Sequence, residues 1–129
     1  MNALEFRFAF YARDFEKSLD FYQIALGMKY VGGWDRADGR GALLSAGGTA
    51  VVEIYGAAEG KTYDGPRPSA LNLALRLENA AAVDTFFQRL AGNSLLDATY
   101  EPPQDRHWGH RSFVIYDPDG IPIHIYCEL

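Results

Sequence analysis

The chain has 129 residues, 48% of them apolar, which is one ordinary domain's worth of sequence with enough hydrophobic material for a real core. A formal net charge of −5 argues against nucleic acid or an anionic membrane as the main partner, since both select basic surfaces. The single cysteine, Cys127, excludes an internal disulfide and points to a reducing cytoplasm, and no apolar run approaches the roughly 20 residues that span a bilayer.

In chain order, Leu4, Phe6, Phe8 and Phe10 alternate with Glu5, Arg7, Ala9 and Tyr11. This is the two-residue repeat of a strand and not the pattern of a signal peptide. Asp14 is placed to cap a helix whose apolar stripe is Phe15, Leu19, Tyr22 and Leu26, with Gly27 as its terminator. Short strands are expected around Met28–Trp34, Gly41–Ser45 and Thr49–Tyr55, the last two joined at Gly47-Gly48. Gly56 to Pro68, rich in glycine, proline and charge, reads as a linker.

The order of elements then returns. Leu71, Leu73, Leu75 and Leu77 alternate with Asn72, Ala74 and Arg76, and Asn79 caps a helix with the stripe Val83, Phe86, Phe87 and Leu90, closed by Gly92. A strand near Leu95–Tyr100 and a polar loop over Glu101–His110 precede a final hairpin. Its strands are Arg111–Tyr116 and Ile121–Glu128, joined by the turn Asp117-Pro118-Asp119-Gly120.

A shift of 65 positions lays Ala9 on Ala74, Phe21 on Phe86, Gln23 on Gln88 and Gly27 on Gly92, and the capping Asp14 on Asn79. A shift of 71 lays Val52-Glu53-Ile54-Tyr55 on Ile123-His124-Ile125-Tyr126. Two tandem copies of a β-α-β-β-β unit account for both. The expected fold class is therefore α+β, with curved mixed sheets around a cup and helices on the outer faces. The expected domain is single over 1–129, with modules 1–58 and 69–129 joined by a linker at 59–68. Each copy's non-helix face carries polar and aromatic residues: Arg7, Glu53 and Tyr55 in the first; Asn72, Arg76, His124, Tyr126 and Glu128 in the second. Such a lining suits a small ligand, although a solvated sheet face reads the same way.

The stretch Asp14-Phe15-Glu16-Lys17-Ser18-Leu19-Asp20-Phe21-Tyr22, followed by Leu26-Gly27-Met28-Lys29, resembles the first helix of the vicinal oxygen chelate superfamily. That group includes glyoxalase I, extradiol dioxygenases and bleomycin-resistance proteins. Asp117 to Ile125 is similar to its last hairpin, and Trp108-Gly109 to a loop of bleomycin-resistance proteins. The resemblance implies metal-ligand positions at Arg7, Glu53, Asn72 and His124. A guanidinium cannot ligate a cation and Asn72 offers only an amide oxygen, so the usual metal site is expected to be missing and no cofactor is expected.

Besides an interaction module with a vestigial cup, which closure by an Arg7–Glu53 ion pair would favour, two functions remain open. One is a metal-independent small-molecule-binding protein taking an aromatic or anionic ligand through Arg7, Tyr55, Asn72, Arg76, Trp108 and Tyr126. The other is a glyoxalase-like lyase, isomerase or dioxygenase with Glu53 and His124 as catalytic groups in an altered metal shell. His124 is the best acid–base candidate, because its intrinsic pKa lies near neutrality. His107 and His110 flank Trp108 in a loop or lid, without the glutamate of a metalloprotease helix. Relatives imply a homodimer.

Overall fold

The computed structural model describes residues 1–67, 69–94 and 100–129. The expected strand at Leu95–Tyr100 falls almost wholly outside them, as does Pro68 of the linker. The chain divides into two compact units, Met1–Pro68 and Ser69–Leu129. Among the described residues, no helix is long and apolar enough to cross a membrane.

The first unit runs β1 (Phe6–Tyr11), α1 (Phe15–Asp20), β2 (Lys29–Arg36), β3 (Gly39–Gly47) and β4 (Ala50–Gly56), with sheet order β1-β4-β3-β2. Pairing of β1 with β4 is parallel and the other two pairings are antiparallel, so the sheet is mixed. The Asp14 carboxylate caps α1 by accepting from the Lys17 backbone N–H at 3.1 Å. After Asp20 the helix widens into a π turn over Phe21–Ala25, with the Leu26 N–H bonded to the Phe21 carbonyl. Phe21 and Tyr22, adjacent in sequence, are both buried at this wider turn. The expected stripe is corrected one turn earlier: Ser18 is fully buried, whereas Leu19 is half-buried. Tyr22 packs on Phe10, and with Ala42, Leu44, Val52 and Ile54 they form the core between α1 and the sheet.

The second unit repeats this order: β5 (Leu73–Arg76), α2 (Ala80–Leu90), β6 (Gln104–Asp105), β7 (His110–Tyr116) and β8 (Pro122–Glu128), in sheet order β5-β8-β7-β6. Register establishes the duplication. Ala9 stands opposite Glu53 in the first parallel pair, and Ala74 opposite His124 in the second. Those are the equivalences that shifts of 65 and 71 require.

Two expectations need adjustment. Strand β5 starts at Leu73, leaving Leu71 exposed and Asn72 ahead of the ladder. Its pairing with β8 begins at Leu73–Ile123, because the preceding β8 residue is Pro122, which has no N–H to extend it. The expected polar loop contains β6, because Gln104 and Asp105 pair with Ser112 and Arg111. The turn between β6 and β7 is closed by Arg106 N–H to the His110 carbonyl at 2.6 Å.

The two capping expectations for this unit hold: Asn79 caps α2 by accepting from Ala82 N–H at 2.9 Å, and Gly92, just past its end, takes φ +80°. Phe87 of α2 meets Phe113 of β7 edge-on at 5.2 Å. In the last turn the Asp117 carboxylate accepts from the N–H groups of Asp119 and Ile121, at 2.9 and 2.8 Å, while Gly120 takes φ +84°. Cys127 is fully buried on the helix-side face with Ile123 and Ile125.

Candidate functional site

In the first unit, strand alternation sends Phe8 and Phe10 towards α1 and Arg7, Ala9 and Tyr11 to the opposite face. Glu53 and Tyr55 of β4 share that opposite face through the pairs Ala9–Glu53 and Tyr11–Tyr55. Glu53 is only 8% exposed, so its carboxylate needs partners. It has two: one oxygen accepts from Arg7 Nη1 at 3.1 Å and the other from the Tyr55 hydroxyl at 2.9 Å. Arg7 Nε donates in turn to Glu5.

The electrostatics follow from these contacts. The hydrogen bond to Glu53, together with desolvation and the Glu53 charge, raises the Tyr55 pKa above its ordinary value of 10.0, so the phenol stays a donor. The Arg7 pKa is raised as well, first by its hydrogen bond to Glu5 and also by the charges of Glu5 and Glu53.

Beside this network runs a row of rings. Trp34 lies 5.8 Å from Tyr55, Tyr55 lies 4.9 Å from Tyr11, and Tyr11 stacks on Tyr63 at 4.8 Å. Gly41, the cross-strand partner of both Trp34 and Tyr55, makes the row possible: a Cβ there would collide with the Trp34 ring. Tyr63 and the role of Gly41 escaped the sequence reading. A glycine inside an otherwise β-prone strand was the available signal for Gly41.

In the second unit His124 lies on β8 between Ala74 of β5 and Val114 of β7. Tyr126 shares its face and stacks on His110 at 4.6 Å, and Arg76 pairs with Glu128 at 2.9 Å. Asn72 is exposed ahead of β5. Trp108 is 58% exposed at the β6–β7 turn, with His107 against its edge. The structure thus groups Arg7, Glu53 and Tyr55 in one unit, and Arg76, His124 and Tyr126 on one sheet face of the other.

The mixed parallel–antiparallel sheet of four strands is thus built twice in the same register. The sequence profile of the Glyoxalase/Bleomycin resistance protein/Dioxygenase superfamily matches residues 6–125. The chain belongs to that superfamily.

Solved structures of similar fold include TnmS3, an antibiotic binding protein from Streptomyces sp. CB03234, with 22% identity over 99% of this chain and 98% of that one, at TM-score 0.74. A superfamily member from Sphaerobacter thermophilus is 24% identical over 98% of each chain, at TM-score 0.73. A lactoylglutathione lyase from Agrobacterium tumefaciens is 18% identical over 98% of this chain and 94% of that one, at TM-score 0.67. At these identities the likeness is one of fold. No curated protein matches the sequence.

The superfamily's divalent metal does not fit the residues here. Arg7, at a position the resemblance assigns to a ligand, carries a permanent positive charge. Both oxygens of Glu53 are already engaged, one of them by that guanidinium. Among the described residues, no cluster of three or more His, Cys, Asp and Glu side chains could hold a metal ion.

Proposed function

We propose that this protein binds a small planar molecule, aromatic or anionic, without the superfamily's metal. The observation that carries this reading is the state of Glu53, whose two oxygens serve Arg7 and Tyr55. A carboxylate so engaged organises a binding face. The ring row of Trp34, Tyr55, Tyr11 and Tyr63 supplies stacking surface beside it. Antibiotic binding by TnmS3 supports a small-molecule role for this fold. In the second unit, Asn72, Arg76, Trp108 and Tyr126 are the proposed ligand contacts. The alternative, a glyoxalase-like lyase, isomerase or dioxygenase using Glu53 and His124, requires Glu53 to exchange Arg7 for a cation. The proposal further takes the chain as one domain of two modules with residues 59–68 as linker, acting as a cytoplasmic homodimer.

The test uses 1-naphthol, a neutral planar probe, with Trp34 emission read in a Trp108→Phe background. Saturable quenching is expected, unaltered by a chelator or by added zinc, and weakened by Tyr11→Ala. Absence of quenching, quenching that needs metal, or metal-dependent turnover of a hemithioacetal or catechol would each sink the reading.

A further inference from the structure

The second unit holds a cavity of about 250 Å³ lined by Tyr100, Glu101, Arg106, Val114 and Tyr116. Arg106 is the decisive residue. Its Nε donates to Ser112 Oγ at 3.0 Å, Nη2 to the Ser112 carbonyl at 3.2 Å, and Nη1 to the Gln104 amide oxygen at 3.3 Å. All three acceptors are neutral. A guanidinium has five N–H donors and three are used here, which leaves one on each terminal nitrogen.

Other arginines of the unit are arranged differently. Arg76 meets Glu128, and Arg111 meets Asp84 and Asp105. Arg106 has no carboxylate partner among the described residues, yet it is held in place by a buried serine. Its spare donors form the two-pronged fork that matches a carboxylate.

The surroundings narrow the class of ligand. Tyr100 and Tyr116 supply aromatic walls, and Gln104 stands between the two charges, accepting from Arg106 and donating to Glu101 at 3.3 Å. Val114 is the cross-strand partner of His124, so the imidazole occupies the next position on this sheet face. The volume lies below the range of roughly 300–1,000 Å³ typical for whole drug-sized ligands, which suits one ring or the end of a larger molecule.

We propose that this cavity is an anion subsite, in which Arg106 holds the carboxylate of an aromatic acid while Tyr100 and Tyr116 flank its ring. The subsite lies within the second unit and does not depend on the ring row of the first.

Calorimetric titration with 1-naphthoate and with its neutral amide, 1-naphthamide, tests this. The unaltered protein is expected to prefer the acid by about tenfold, the scale of a hydrogen-bonded charge pair, and Arg106→Gln to abolish that preference. No binding of naphthoate, no preference for it, or a preference that survives in Arg106→Gln overturns the subsite. Should that variant fail to fold, amide shifts of the unaltered protein decide: naphthoate must move Arg106, Ser112 and Val114, and movement confined elsewhere overturns it. A failed naphthol titration at Trp34 alongside Arg106-dependent naphthoate binding would remove only the first unit's role.

Discussion

The two units share a strand order and a register, yet they place different chemistry on equivalent positions. Ala9 and Ala74 are equivalent, and so are Tyr55 and Tyr126, but Glu53 in one unit stands where His124 stands in the other. A buried carboxylate costs several kcal/mol unless it is paired, on the order of the penalty for any desolvated ion, so Glu53 brings Arg7 and Tyr55 with it. A histidine carries no such permanent charge, and Tyr126 is left to stack on His110. The same divergence recurs on the next strand. Gly41 and Ser112 each face the equivalent tyrosine; the glycine admits the Trp34 ring, whereas the serine hydroxyl anchors Arg106. Duplication thus copies backbone geometry, and the lining diverges through single side chains.

The comparison is sharpened first in the cores. Ile54 and Ile125 are equivalent and almost completely buried, so Ile54→Ala and Ile125→Ala should each cost about 2–5 kcal/mol in chemical denaturation. A loss in only one of them would break the equivalence of the two sheets. Next in size is Gly41→Ser, which gives the first unit the second unit's residue. Collision with Trp34 should cost about 1–3 kcal/mol and weaken naphthol binding. Unchanged stability would mean that the ring does not need the glycine.

Smaller effects follow at the helix caps. Asp14→Ala and Asn79→Ala should each cost about 1 kcal/mol, because each removes one acceptor from an N-terminal backbone N–H. Unequal losses would show that the two caps are not interchangeable.

The smallest effect is a pH dependence at Tyr55 of the first unit. The folded Tyr55 pKa lies above its unfolded value, so the stability it contributes is complete below about pH 10 and is lost as pH rises through the folded pKa. Spectrophotometric titration should show Tyr55 ionising late. That late step should be absent from Tyr55→Phe, and Glu53→Gln should bring it back towards 10. A late step of the same amplitude in Tyr55→Phe as in the unaltered protein would assign the shift elsewhere.

What local sequence determined is what local physics controls. Alternation along β1, the caps Asp14 and Asn79, the terminators Gly27 and Gly92 and the Asp117 turn each depend on a few adjacent residues, and all were legible. Their recurrence at fixed shifts disclosed the duplication, because register follows from alternation once one face is buried. The face carrying Arg7, Glu53 and Tyr55 in the first unit, and that carrying His124 and Tyr126 in the second, were legible for the same reason.

Tertiary structure alone decided the rest. The π turn at Phe21–Ala25 answers to packing on the sheet, and β6 exists because β7 offers it a partner. The ring row that reaches Tyr63 depends on residues far apart in sequence, and the Ser112 anchor of Arg106 on the pairing of β6 with β7. Periodicity tells which way a side chain points; only the folded sheet determines what it meets there.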